Sequence, residues 1–463
     1  MIFKKGKKMK GFFEALLQFL KEICTPPWAP PPSLGGVESI GFFATRVIGL
    51  AFLLCYAYQF FYIFVASIRR PKLFAAAAKD KRYGVVIAAR NEEAVLPALL
   101  SALQAQSYPA ELLDIYVVAD NCTDGTAALA KSYGATVLER QDSTLVGKGY
   151  ALQYFFEHLQ STVGIHSHDA YFFFDADNVP QTDYIEKMNN AYQAGFSVVT
   201  SYRNSKNYGK NWISAGYALW FLREARHLNG ARSLLKSSAA VAGTGFMVGA
   251  DLLQKNGGWK HFLLTEDIEF TADCVLQGER IGYCHEAEFF DEQPERFAVS
   301  WRQRKRWSKG LFQVIRHYGA RLLCGALRGK WACFDMLMSM MPAFLLSSLQ
   351  LLILAVLFVV DLFLQGTPSP MFVRYFAQFF VFGYTLFFIV GLATLVTEWR
   401  RICCNKCKAV LLLFTFPVFM LSYIPVSIVA FCTHVEWHPI HHSYALDVKE
   451  IEGTHRTSPK KEK

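Results

Sequence analysis

The sequence predicts an α/β domain with a mostly parallel sheet, carried by a protein with about four membrane-spanning helices. Three observations predict it. Four long segments contain no charged residue, short apolar runs alternate with helical ones between the first and second of these, and three of the runs end in polar clusters.

The uncharged segments are Val47–Ile68, Met336–Val360, Tyr375–Thr397 and Ala409–Thr433. Each can cross a bilayer, which takes about 20 residues of helix. One such helix buried in a globular core would be ordinary; four are not. Composition agrees: 463 residues are 52% hydrophobic and 15% aromatic, with 40 Phe, above the share of a soluble domain. Pro417 and Pro425 lie inside the last segment, where a packed membrane helix tolerates them and kinks.

Orientation follows from basic residues near the spans. Arg69, Arg70, Lys72, Lys79, Lys81 and Arg82 follow the first, and Arg400, Arg401, Lys406 and Lys408 lie between the third and fourth. The 361–374 loop has a single Arg. These place the middle region and the 398–408 loop in the cytoplasm and the 361–374 loop outside. The same topology puts both termini outside, against the five lysines of Met1–Lys10. The expected location is a bacterial plasma membrane, with membrane lipids around the spans. An accessory subunit is not identifiable from the sequence.

The chain divides into a basic, amphipathic and Pro-rich segment (1–39), a first span (40–68), an α/β domain (69–296), an interfacial amphipathic region (297–330), three spans (331–433) and a polar tail (434–463). The 11 cysteines are scattered and odd in number, which indicates no disulfide framework. Cys404 and Cys407 have CxxC spacing, but no second pair or His lies near them. The tail histidines, His434, His438, His441 and His442, read as an interfacial exit segment with Trp437 at headgroup level rather than as a metal site. The net charge of +10 lies largely in membrane-proximal residues, as suits an anionic leaflet. No reader motif accompanies it, so nucleic acid is not an expected partner.

In the middle region, strands are predicted over Gly84–Ala89, Leu113–Ala119, Ala135–Glu139 and Tyr171–Phe174. Helices are predicted over Glu93–Gln106, Thr126–Tyr133 and Gly149–Leu159. That alternation argues a parallel sheet with crossover helices. The strands end in Arg90-Asn91-Glu92, Asp120 to Asp124, and Asp175-Ala176-Asp177-Asn178. In a parallel sheet these ends share one edge, where open α/β sheets bind ligands. Two carboxylates two residues apart suit a divalent cation held against phosphate oxygens. No GxGxxG follows the first strand and no GxxxxGK[ST] occurs, which disfavours a dinucleotide fold and excludes a P-loop ATPase. Downstream lie Gly243-Thr244-Gly245, Thr265-Glu266-Asp267 and Gln303-Arg304-Lys305-Arg306-Trp307.

Taken in order, these motifs, with Lys148 in Gly-Lys-Gly-Tyr-Ala-Leu, resemble those of family 2 glycosyltransferases over about 83–313. The similarity is to the membrane-embedded branch containing cellulose, chitin, hyaluronan and poly-N-acetylglucosamine synthases. Thr-Glu-Asp paired with Gln-x-x-Arg-Trp is the specific part. With one span before the catalytic region and three after it, the chain has fewer than several polymer synthases of that branch.

The resemblance implies a GT-A-like, Rossmann-like fold and an inverting hexosyltransferase using a UDP-sugar donor with Mg²⁺ or Mn²⁺. It implies that Asp177, the more direct ligand, and Asp175 hold the metal. Asn91, Glu92, Asp120, Lys148 and Asp175 would face the nucleotide, with Gln303, Arg306 and Trp307 at the diphosphate. Arg suits that place because its planar fork bonds two oxygens at once. Asp267 would be the general base within Thr265-Glu266-Asp267. Gly243, Thr244, Gly245 and Trp307 would meet the acceptor. A growing β-linked glycan is the favoured acceptor, with a lipid receiving one or a few sugars as the alternative. A nucleotide-regulated transporter is the remote alternative, disfavoured because the spans lack charged residues.

Overall fold

The computed structural model describes residues 36–340, 342–366 and 370–437. The amphipathic Gly11–Ile23, the Pro-rich linker and the tail beyond Trp437 lie outside them, as do His438, His441 and His442.

The chain enters on α1 (Gly36–Ile68) and then builds the α/β domain. Its first part is β1 (Tyr83–Ala89), α2 (Leu96–Gln104), β2 (Leu113–Asp120), α3 (Thr126–Ser132), β3 (Thr136–Arg140), α4 (Lys148–Thr162) and β4 (Ala170–Asp175). Next come β5 (Val179–Pro180), α5 (Tyr184–Gln193), β6 (Val198–Ser205) and α6 (Trp212–Arg223), which runs through a π-helical turn (Glu224–Asn229) into α7 (Gly230–Leu234). The domain closes with β7 (Phe246–Gly249), α8 (Ala250–Asn256), α9 (Glu266–Gln277) and β8 (Ile281–Asp291).

The eight strands form one sheet in the order β3-β2-β1-β4-β7-β6-β8-β5. Pairing is parallel from β3 through β4 and between β6 and β8; β7 runs antiparallel to both neighbours, as β5 does to β8. The sheet is therefore mixed but mostly parallel. β4 is central and buried on both faces, which is why its sequence is aromatic rather than alternating. Tyr171 and Phe173 pack towards α4 and α6, while Phe172 and Phe174 pack towards α2 and α5. Tyr171 sits opposite Gly84 on β1, where a Cβ would come within 2.6 Å of its ring.

After the domain come α10 (Phe297–Leu327), α11 (Trp331–Met340), α12 (Pro342–Gln365), α13 (Pro370–Thr397), α14 (Lys406–Leu413), α15 (Phe416–Leu421) and α16 (Tyr423–Cys432). Ser39–Ile68, Ala343–Leu364 and Phe372–Thr397 are long and apolar enough to cross a membrane, and a bent pair, Lys406–Leu413 with Phe416–Cys432, makes up to four. The second expected span is displaced. Helix α11 ends before Pro342 and stays with the domain, because Asp335 is tied to Arg232, Tyr58 and Tyr62. The fourth is bent by 43°, with Pro417 in the first turn after the break, where its missing N–H is tolerated.

Candidate active site

The first two strand ends are locked by their own loops. Asn91 adopts a φ of 58°, which Asn tolerates better than most residues. Its Oδ1 accepts the Thr123 N–H at 2.7 Å and its Nδ2 donates to Thr123 Oγ1 at 3.1 Å. The Glu92 N–H donates to Thr126 Oγ1 at 2.9 Å. Asp120 is buried and accepts from Arg140 Nη1 at 2.6 Å. Arg140 was not singled out by the sequence reading; the signal was a basic residue in register with Asp120 at the end of β3.

At the end of β4 the two carboxylates part company. The Asp175 side chain is 41% exposed, whereas Asp177 is 5% exposed. Asp177 Oδ2 accepts the Glu292 N–H at 2.9 Å and Oδ1 accepts from Asn178 Nδ2 at 3.3 Å. Asp175 is therefore the more exposed of the two carboxylates. Lys148 pairs with Asp175 and donates to the Gly243 carbonyl at 2.9 Å. The start of α4 reaches this place because Gly149 has no Cβ; one there would collide with the His261 carbonyl.

Gly243 has a φ of 82°, and a Cβ on it would stand 3.4 Å from Asp267 Oδ2. The Gly-Thr-Gly turn thus abuts Asp267. The Thr244 side chain does not reach the cleft: it is buried, bonds Asn178, and accepts the Asp175 N–H at 2.9 Å. Its work is to brace the turn that carries Asp175.

Glu266 and Asp267 occupy the first turn of α9, where the helix dipole favours negative charge. The turn before them is clamped by α10, since a Cβ on Gly310 would lie 2.5 Å from Thr265 Oγ1. That hydroxyl is buried without a hydrogen-bond partner among the described residues, as is Gln303 Oε1. Burial and then Asp267 push Glu266 up to about 7, against Lys148 and Arg306. Burial raises Asp267 as well, against the Ile268 N–H and the same two cations. Burial opposes the charge on Lys148, but Asp175, Glu266 and Asp267 outweigh it and raise its pKa. The cleft thus sets three carboxyl groups against Lys148 and Arg306.

Arg306 donates to the Leu264 carbonyl at 3.4 Å. Trp307 stands edge-on to Tyr217 and Phe221 at ring distances of 5.7 and 6.2 Å, so it wedges α10 against α6. Two further residues escaped the sequence reading. Arg304 is wholly buried, donates to the Phe419 carbonyl at 3.2 Å and to Ser422 Oγ at 2.6 Å, and lies over the Phe419 and Tyr423 rings. It fastens the helix of the Gln-x-x-Arg-Trp motif to the second half of the bent last span. Arg90 lies 5.3 Å from the Trp437 ring, so the segment after α16 comes to the end of β1.

The donor chemistry fits a divalent cation. No group of three or more His, Cys, Asp or Glu side chains converges among the described residues. The chain offers Asp175 and, behind it, Asp177, leaving the remaining ligands to a substrate's phosphates, a pattern Mg²⁺ favours.

Residues 81–310 match the family model described as glycosyltransferase like family 2. The chain carries a family 2 glycosyltransferase domain. Over 265 residues it is 28% identical to the probable glycosyltransferase YdaM of Bacillus subtilis, covering 55% of this chain and 60% of that protein. Over 276 residues it is 27% identical to the β-monoglucosyldiacylglycerol synthase of Nostoc sp., covering 57% of this chain and 55% of that one. The chain thus spans between half and three fifths of the length of these relatives. Among solved structures, the mannosyltransferase PcManGT from Pyrobaculum calidifontis in complex with GDP-Man and Mn²⁺ overlaps 85% of this chain and 99% of that one. The TM-score is 0.52 at 15% identity, a likeness of fold. The domain therefore has the expected GT-A architecture.

Proposed function

We propose that this enzyme transfers a single sugar from a UDP-sugar to a membrane-borne lipid acceptor, with inversion at the anomeric carbon. The observation that carries the reading is the seat of the Thr265-Glu266-Asp267 turn. It lies under α10 at Gly310, and α10 is itself pinned by Arg304 to the bent last span. The reacting carboxyl groups are thereby held against the membrane helices, where a lipid headgroup can reach them sideways. The polymer expected from the sequence gives way to the lipid here because a curated relative is named for making a glucosyldiacylglycerol. The basic residues flanking the spans support a cytoplasmic site.

In the proposed step the acceptor hydroxyl oxygen bonds to the anomeric carbon and passes its proton to Asp267, as the bond from that carbon to the diphosphate breaks. General-base help of this kind contributes about 10²–10⁴-fold. Lys148 and Arg306 take up charge developing on the diphosphate. Asp175, with Asp177 behind it, would hold Mg²⁺ or Mn²⁺, which supplies further positive charge to the leaving group when bound. Asp120 and the Asn91-Glu92 turn border the nucleoside side of the cleft.

The test is product analysis with the full chain in lipid and a radiolabelled UDP-sugar. Label extractable into organic solvent, on a lipid bearing one sugar, is expected. A long water-soluble glycan would overturn the lipid reading in favour of a processive synthase.

A further inference from the structure

A cavity of about 620 Å³ opens where two candidate spans end, between Pro71, just beyond α1, and Val396–Arg401, at the end of α13. Arg226 of the π-helical turn and His285 of β8 line it from the domain side, and Arg400 and Arg401 from the membrane side. Among the lining residues the single carboxylate is Glu398. It is buried and already accepts from the Tyr202 hydroxyl at 2.6 Å, with Arg226 Nε at 3.3 Å.

Arg401 is shared with Glu288 at 3.4 Å and lies over the Tyr202 ring. Arg226 Nε and Arg401 Nη1 are buried with charge contacts but no directed hydrogen bond among the described residues. His285 cannot add a charge: burial and then Arg401 press its pKa down to about 2. Arg400 is exposed. The lining therefore carries more fixed positive than negative charge, on guanidinium groups that match phosphate oxygens.

We propose that this cavity binds the phosphate of an anionic phospholipid. The choice of a lipid over a soluble phosphate rests on what surrounds the arginines. Val396 is 64% exposed and Trp399 37% exposed at the end of a candidate span, an apolar and aromatic rim at the height where acyl chain meets headgroup. Lys406 sits over the Trp399 ring and donates to the Trp399 carbonyl, and Arg69 and Arg70 end the neighbouring span. Basic pockets between membrane helices recognise anionic headgroups in this way.

The test uses the full chain in phosphatidylcholine nanodiscs doped with phosphatidylglycerol, with bound lipid counted by native mass spectrometry. Wild type should retain phosphatidylglycerol over phosphatidylcholine, and millimolar inorganic phosphate should not displace it. Because Arg400 is exposed, Arg400→Gln should leave the melting temperature unchanged while weakening phosphatidylglycerol retention about fivefold, the worth of one interfacial cation. Arg400→Lys should restore most of it, and Val396→Glu, at the rim, should lower it as well. Equal retention in wild type, Arg400→Gln and Val396→Glu would overturn the proposal. Displacement by inorganic phosphate would overturn the lipid assignment in favour of a soluble ligand. These readouts count bound lipid and stand apart from sugar transfer.

Discussion

Arg232 and Asp335 meet through two parallel hydrogen bonds of 2.8 and 2.9 Å, with the hydroxyls of Tyr58 and Tyr62 donating to the same carboxylate at 3.1 and 3.0 Å. At the cleft, Asp175, Glu266 and Asp267 share Lys148 and Arg306, and no such saturation is reached. The two clusters use the same side-chain chemistry and end in opposite states. Burial works against the charge on Asp335, yet Arg232 and the two tyrosines hold its pKa below the usual value. In the cleft, burial wins and raises both Glu266 and Asp267, with Asp267 adding to the rise on Glu266. A saturated ion pair has nothing left to offer a substrate and serves as a bolt, here joining α1, α7 and α11. An unsaturated one keeps the protonation states and free donors that catalysis needs.

Separating stability from chemistry would sharpen that contrast. Asp335→Ala leaves the Arg232 guanidinium buried and uncompensated, and should cost about 3–5 kcal/mol of stability. Chemical denaturation in lipid or detergent measures it, and the transfer rate per folded molecule should be unchanged. Lys148→Met should do the reverse, leaving stability nearly intact while lowering transfer about 10²–10³-fold, as the loss of one preorganised donor does. A smaller effect is expected from Glu266→Gln. With Asp267 as the proposed base, the wild-type rate should rise with pH through a range above the ordinary carboxylate value, because burial raises the Asp267 pKa. Removing the neighbouring negative charge should move that limb to lower pH by on the order of one unit.

The sign for stability is opposite. A carboxyl raised in the folded state contributes stability that is complete below its ordinary value of 4.5 and is lost as pH rises through about 7. Glu266→Gln, which stays neutral, should therefore unfold with less pH dependence across that window.

Much of this was legible in the sequence because it rests on local pattern. The aromatic run Tyr171–Phe174 announced a strand buried on both faces, and the polar ends of β1, β2 and β4 announced one shared edge. The alternation of elements and the paired Thr-Glu-Asp and Gln-x-x-Arg-Trp motifs carried the family. What escaped depends on contacts between residues far apart in the chain. The sequence does not show that the Glu292 N–H, 115 positions on, donates to Asp177. Thr244 reads as a loop residue until Asn178 claims its hydroxyl. The early end of α11 follows from Asp335 pairing with Arg232, 103 positions away. Arg304 sits beside recognised motif residues, but its partners lie in the last span.

The assignment of Asp267 as the base is tested most directly by measuring sugar transfer and UDP binding together on Asp267→Asn. The substitution keeps the side chain's size and its place beside Gly243 and removes its capacity to accept a proton. UDP binding within about twofold of wild type, with transfer reduced by about 10²–10⁴-fold, is the result predicted. Near-normal turnover by this variant would contradict it.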